Sequence, residues 1–173
     1  MQKFRSSSVL NVVSFFTMIV LCTIAAASPV AADGYDSALK GVKGIKAVFD
    51  YSQASPKMSN IILGAVKDMV ENEATTSLPE KTQLVILFQG PAVTLITTDR
   101  SNFPEKEFGE LDKFHEMIRQ LKRDGVKLEV CLYAADVVGV DPSTILPEFD
   151  HVRNGFISTI GYQAQGYSLV RVP

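Results

Sequence analysis

The fold class of this chain follows from the stretch Gln83-Leu84-Val85-Ile86-Leu87-Phe88 and from the Gln89-Gly90-Pro91 that comes after it. Its apolar residues form a continuous run instead of alternating with polar residues. Such a run is typical of a strand that is buried on both faces of a parallel sheet. The glycine and proline that follow are typical of a strand end. The stretch therefore predicts a central strand of an α/β domain.

Short apolar strands and amphipathic helices alternate on both sides of this stretch. Ser55-Pro56 is a typical helix start, with serine as the N-cap and proline at the first helical position. The predicted strands span residues 45–51, 83–88, 126–132, 151–156 and 167–172. The predicted helices span residues 56–72, 105–123 and 157–165, with short helical turns at 92–98 and from Asp141 to Pro147. This order predicts a three-layer α/β/α domain whose mostly parallel sheet has about five strands.

The N-terminus has the residue order of a secretory signal peptide. Lys3 and Arg5 form a basic start, and the stretch from Val9 to Ala27 is almost entirely apolar or small. Small residues then favour cleavage after Ala32 or after Ala27. We therefore expect the mature protein in the periplasm or outside the cell. An uncleaved N-terminal membrane anchor is the alternative.

The predicted organisation is a signal peptide over residues 1–32, a polar lead-in over 33–43 and one α/β domain over 44–173. After removal of the signal peptide we expect no association with a membrane. Leu21 precedes Cys22, whereas a bacterial lipoprotein signal has a small residue before its cysteine, so lipidation is not expected.

Composition excludes several classes of protein. The chain has 173 residues, of which 46% are hydrophobic, and a net charge of −2. A nucleic-acid-binding domain normally carries a clear basic excess, so no nucleic-acid partner is expected. The sequence has no Cys/His cluster at metal-ligand spacing and no glycine-rich phosphate-binding motif, so it predicts neither a metal nor a cofactor. His115 falls at the edge of an apolar helical stripe and is predicted to be structural.

Cys131 is the most informative residue, because removal of the signal peptide leaves it as the only cysteine. It ends the third predicted strand, at the carboxyl edge where open α/β sheets bind ligands. Residues 50–53 and 89–91 follow the first two strands at the same edge. A helix that begins just beyond Cys131 would favour its thiolate, which is a good nucleophile for sulfur chemistry. A buried packing role and a disulfide with another chain are the alternatives.

Three stretches share the order and spacing of a known protein family. They are Phe88–Ala92, Gly125–Cys131 and Gln163–Val170, and the short helix predicted from Asp141 to Pro147 fits the same pattern. From Gly44 to Val172 the chain resembles the DsrE/DsrF-like family of sulfur-relay proteins, in its exported branch. The resemblance implies a three-layer α/β domain that assembles into trimers, hexamers or hetero-oligomers.

The resemblance also implies a role for Cys131. In the relay members of the family, a cysteine after the third strand accepts sulfur as a persulfide and passes it to a partner protein, and Cys131 matches that cysteine. Gln89 stands where many relatives have histidine. We expect Gln89, Gly90 and Asn60 to help bind an anionic sulfur donor.

Two hypotheses about function follow. The first is an exported sulfur carrier or sulfurtransferase-like protein with Cys131 as its nucleophile. The alternative is a non-enzymatic ligand-binding or oligomeric assembly module in which Cys131 is structural.

Overall fold

The computed structural model describes residues 34–173 of the chain. The strands in this part are β1 (Lys46–Tyr51), β2 (Gln83–Phe88), β3 (Lys127–Cys131), β4 (Asp150–Val152) and β5 (Ser168–Val172). These five strands form one sheet in the order β4-β3-β2-β1-β5, and every pair of neighbours is parallel. The predicted parallel α/β sheet is confirmed, with the apolar run of β2 at its centre.

Helices connect the parallel strands. They are α1 (Pro56–Glu71), α2 (Glu73–Thr76), α3 (Phe108–Arg123), α4 (Leu132–Val138) and α5 (Gly155–Ala164). Shorter 3-10 segments span Gly90–Ile96, Glu105–Glu107 and Pro142–Thr144. The predicted start of α1 is confirmed, because Ser55 Oγ accepts the Met58 N–H at 3.4 Å.

The main core lies between the sheet and the pair of helices α1 and α3. Side chains of Phe49, Ile86 and Leu128, one from each central strand, belong to this core. Leu63 of α1 and Phe114 of α3 pack into the same cluster and are fully buried. Apolar burial of this extent is the main contribution that stabilises a domain of this size.

The opposite face of the sheet is covered by α5. This helix connects β4, at one edge of the sheet, to β5 at the other, and it contacts β1, β2 and β5. The connections from β1 to β4 run across the sheet in one direction, and the connection from β4 to β5 runs back in the other. Because connections between parallel strands are right-handed, α5 lies on the face opposite to α1 and α3. The predicted three-layer arrangement is therefore confirmed.

Two predicted boundaries differ from the structure, and both lie close to Cys131. The third strand ends at Cys131 and not at Leu132, because α4 begins directly at Leu132. The predicted extended segment 151–156 is wrong beyond Val152, because α5 already begins at Gly155. Asn154 provides the reason: its side chain caps α5 by accepting the N–H two residues later at 2.9 Å.

His115 is buried in the core, which agrees with its predicted structural role. Its Nε2 atom lies 2.8 Å from the carbonyl oxygen of Leu95. Burial lowers the pKa of the imidazole, so His115 is neutral near neutral pH and donates this hydrogen bond.

The predicted signal peptide, residues 1–32, lies outside the part of the chain that the structure describes. Within residues 34–173, no helix combines the length and the apolar character that a membrane crossing needs.

Candidate functional site

A cleft of about 380 Å³ opens at the carboxyl edge of the sheet, where β1, β2 and β3 end. Its polar lining comes from the last residues of these strands and the residues that follow them, from the start of α5 and from β5, and its apolar lining comes largely from α4. The lining residues are Asp50, Ser52, Gln89, Gly90, Cys131, Tyr133, Ala134, Val137, Val138, Asn154, Phe156 and Arg171. The carboxyl edge of a parallel sheet is the usual ligand-binding edge, so this cleft is the candidate functional site.

Cys131 lies in the wall of this cleft. It is the last residue of β3 and the residue directly before α4, and only 5% of it is exposed. Its Sγ atom accepts a hydrogen bond from the backbone N–H of Gly155, with an N–S distance of 3.1 Å. Gly155 is the first residue of α5, so the positive end of that helix faces the sulfur. Both features favour negative charge on the sulfur.

Only glycine allows α5 to approach the sulfur this closely. A Cβ atom on Gly155 would lie 2.7 Å from Gln89 Oε1, 3.1 Å from Cys131 Cβ and 3.3 Å from Cys131 Sγ. The 2.7 Å distance requires the end of the Gln89 side chain to move, and the other two require Cys131 to shift slightly. Gly155 is therefore a residue of the candidate site that the sequence did not reveal, since nothing in the local sequence shows that position 155 faces a cysteine 24 residues earlier.

Gln89 is fixed between Cys131 and the first strand. Its Nε2 amide donates a hydrogen bond to Asp50 Oδ1, and its Oε1 atom points to Gly155. Gly90 follows with a positive φ of 55°, which turns the chain into the 3-10 segment. The structure thus brings the predicted residues Gln89, Gly90 and Cys131 together at one cleft.

Asn60 is not brought to this cleft. Its Nδ2 atom donates to the backbone oxygen and to Oε2 of Glu110, each at 2.9 Å, so it joins α1 to α3. Among the described residues it is absent from the cleft lining. The predicted binding role of Asn60 therefore has no geometric support.

Arg171 is a second residue that the sequence analysis missed. In the parallel pairing of β1 with β5, Arg171 lies opposite Asp50, and both line the cleft. This pairing joins the first strand to the last, so it becomes visible only when the strand order is known. The exposed guanidinium places a permanent positive charge at the cleft.

The charges at this edge of the sheet are few. Asp50 and Arg171 carry opposite charges at the cleft, and Arg153 pairs with Asp136 at 2.9 Å close by. Within residues 34–173, no group of three or more His, Cys, Asp or Glu side chains is arranged to hold a metal ion. The chemistry that this arrangement offers is that of a thiol.

The fold and the cleft define the class of protein: a small α/β domain with a parallel sheet and a cysteine at the carboxyl edge of its third strand. The sequence model of the DsrE/DsrF-like family matches residues 43–172. The chain therefore belongs to the DsrE/DsrF-like family.

Two solved structures share this fold. One is a protein of unknown function from Methanobacterium thermoautotrophicum, with a TM-score of 0.54, and the other is the ychN protein of E. coli, with a TM-score of 0.53. Each is 16% identical in sequence, and each comparison covers 73% of this chain and 98% of the other chain. At this level of identity the likeness shows the fold alone. No curated protein sequence matches the chain.

Replacement of Gly155 by alanine tests the close approach of α5 to Cys131. We expect Gly155→Ala to lower the free energy of unfolding by about 1–3 kcal/mol, because the added methyl group overpacks the site. The measurement is urea denaturation followed by circular dichroism.

Gly161→Ala is the matched control on the same helix. In the described part of the chain, nothing lies within 4 Å of a Cβ atom built at Gly161. Alanine there should raise stability by up to about 1 kcal/mol, because it favours the helix more than glycine does. Equal effects of the two substitutions would contradict the packing described for Gly155.

Proposed function

We propose that this protein takes up sulfane sulfur on Cys131 as a persulfide and passes it to an acceptor. The observation that carries the proposal is the position of the sulfur, in a cleft at the carboxyl edge and 3.1 Å from the Gly155 amide nitrogen. Membership of the DsrE/DsrF-like family, which is generally associated with sulfur relay, supports the same chemistry.

The proposed reaction needs a thiolate and no external oxidant or reductant. The thiol proton leaves to solvent, and the Cys131 thiolate attacks the outer sulfur of a donor such as thiosulfate. A new S–S bond forms at Cys131, while the S–S bond of the donor breaks and sulfite leaves with the electron pair. An acceptor nucleophile then attacks the terminal sulfur of the persulfide and regenerates the thiolate.

The cleft lining fits an anionic donor. Arg171 provides a positive charge, and the Gly155 N–H contacts the sulfur that would carry the persulfide. The side chains of Tyr133 and Val137 are 60% and 70% exposed around the same cleft. Exposed apolar and aromatic side chains are typical of protein contact surfaces, so they fit a protein acceptor.

We further propose that the transfer takes place outside the cytoplasm, in the periplasm or in the secreted state. The support is the predicted signal peptide, with cleavage after Ala32 or Ala27. A persulfide is a reversible modification, and Cys131 would be the only cysteine of the processed chain, so it has no partner for an internal disulfide.

Cys131→Ser tests the proposed nucleophile. The measurement is formation of thiocyanate from cyanide, with thiosulfate or polysulfide as the sulfur donor. We expect the serine variant to lose about 100-fold or more of the rate, because the thiolate is the nucleophile that carries the sulfur. Its thermal unfolding should stay close to that of the unchanged protein.

Cys22→Ser, in the full chain, is the matched control for this experiment. It replaces the other cysteine of the sequence, which lies in the predicted signal peptide, and it should retain the full rate. Thiocyanate formation that survives in Cys131→Ser contradicts the proposal, as does a protein that forms none with either donor.

A second candidate function is an assembly or ligand-binding module in which Cys131 is only a packing residue. The observation that favours it is the low exposure of Cys131, at 5%. In that case the thiol would react with alkylating reagents only after the protein unfolds.

We propose as well that the chain forms a homo-oligomer, as a trimer or hexamer, through the outer face of α5. This helix contains no charged residue, and its side chains at Phe156, Ile157 and Ile160 are 69%, 71% and 65% exposed. Leu169 and Val170 on the edge strand β5 are also exposed large hydrophobic residues. A surface of this kind is typical of a protein interface.

Ile157→Glu tests this interface. A carboxylate at the centre of an apolar contact is costly to bury, so we expect the variant to have the mass of a single chain in sedimentation and light scattering. The unchanged protein should have the mass of a trimer or hexamer.

Ile61→Glu is the matched control, because it introduces the same charge at an isoleucine of α1 that is 60% exposed. It should leave the oligomer intact. A single-chain mass for the unchanged protein, or dissociation by Ile61→Glu and not by Ile157→Glu, contradicts the proposed interface.

A further inference from the structure

The contacts of α5 with the sheet include two polar side chains that bind a buried group. Its large apolar side chains at 156, 157 and 160 are exposed. In this part of the chain that the structure describes, Gly155 is the only buried residue of the helix. The side chains of Ser158 and Tyr162 instead bind a group in the sheet. The large apolar side chains of α5 itself therefore contribute little to its position on the sheet, where Val48, Val85 and Leu87 are buried.

The group that these side chains bind is Glu129. It is a residue of β3, and it is only 3% exposed. Its carboxylate accepts hydrogen bonds from Ser158 Oγ and from the Tyr162 hydroxyl, the latter at 2.6 Å. Lys127 Nζ lies 2.9 Å from the same carboxylate. A buried carboxylate is thus satisfied mainly by two side chains of α5 and one lysine.

These contacts also determine the charges in the network. Burial alone would raise the pKa of the Glu129 carboxyl, but Ser158, Tyr162 and Lys127 together hold it below its usual range. Contacts with Tyr162 and Glu129 raise the pKa of Lys127. Burial and the hydrogen bond to Glu129 raise the pKa of Tyr162, which keeps its proton and donates. At neutral pH an ionised Glu129 therefore accepts from the charged Lys127 and from the neutral hydroxyls of Ser158 and Tyr162. Hydrogen bonds to an ionised group are stronger than those between neutral groups.

Glu129 and Cys131 lie two positions apart on β3, so they point to the same face of the sheet. On α5, Ser158 and Tyr162 follow Gly155 within two helical turns. The strand therefore carries the carboxylate and the thiol, and the helix carries the matching donors of both.

We propose that Glu129 is a positioning residue for Cys131: by binding Ser158 and Tyr162, it holds α5 so that the Gly155 N–H stays on the Cys131 sulfur. This inference rests on the proposed role of Cys131 as a nucleophile. It concerns the reactivity of the thiol and not the identity of the sulfur donor.

The variant Ser158→Ala/Tyr162→Phe tests this proposal. It removes both donors of α5 and introduces no charged group, and it leaves the residues Glu129, Asp50 and Arg171 and the pair Asp136–Arg153 in place. The measurement is the rate at which iodoacetamide alkylates Cys131 in the folded full chain, as a function of pH. Mass spectrometry of the peptide that contains Cys131 separates its signal from that of Cys22.

Two changes are expected in the double variant. The plateau rate of alkylation at high pH should rise by about fivefold, which corresponds to the loss of one hydrogen bond, that from the Gly155 N–H to the Cys131 sulfur. The pH of half-maximal rate should also rise, because the N–H that stabilises the thiolate is displaced. Tyr162→Phe alone should show the same two changes to a smaller extent, which keeps the test valid if the double variant folds poorly.

Tyr167→Phe is the matched control. It removes a tyrosine hydroxyl that donates to Gln83 Oε1 at 2.9 Å, close to Tyr162 but away from Glu129. It should leave both readouts unchanged. A double variant that behaves like this control overturns the proposal, and so does a higher plateau rate without a change in the pH of half-maximal rate.

Alkylation needs no sulfur donor, so this test of the positioning role can fail or succeed separately from the thiocyanate assay of sulfur transfer. A shifted alkylation profile in a protein that forms no thiocyanate would keep the positioning role of Glu129 and remove the proposed sulfur transfer.

Discussion

The contact between the Gly155 N–H and the Cys131 sulfur is the interaction on which the rest of this site depends. It joins the end of β3 to the start of α5, and it exists because position 155 has no side chain. The helix end that approaches the sulfur favours negative charge there, which an apolar environment would disfavour. A cysteine that is nearly buried thus has a backbone donor and a helix N-terminus at its sulfur.

The sheet provides the frame for this contact. The continuous apolar run of β2 requires cover on both faces, and the chain provides it with α1 and α3 on one face and α5 on the other. On the face that α5 covers, the buried Glu129 carboxylate binds two side chains of this helix, beside the buried Val48, Val85 and Leu87. The apolar side chains of α5 remain on the outside, where they provide the proposed interface.

Much of this arrangement could be predicted from the sequence, because short stretches of the chain indicate where strands and helices begin and end. The apolar run of β2, the cap at Ser55-Pro56 and the position of Cys131 at a strand end all follow from residues close together in the chain. The carboxyl edge of a parallel sheet then brought Gln89 and Cys131 to one cleft, as expected.

The remaining features depend on contacts between distant parts of the chain. The start of α5 was predicted too late, because the cap at Asn154 outweighs the strand propensity of the residues that follow. Asn60 was placed at the site from strand ends alone, but its partner is Glu110 on α3. Arg171 reaches the cleft only because β5 pairs with β1.

The most direct test of the account is the mass of the peptide that contains Cys131, after the folded protein has been treated with a sulfane sulfur donor. Persulfide formation should add about 32 Da to this cysteine, and a reducing agent should remove the added mass. An unchanged mass, together with a thiol that resists alkylation until the protein is unfolded, would contradict sulfur transfer through Cys131 and make it a packing residue.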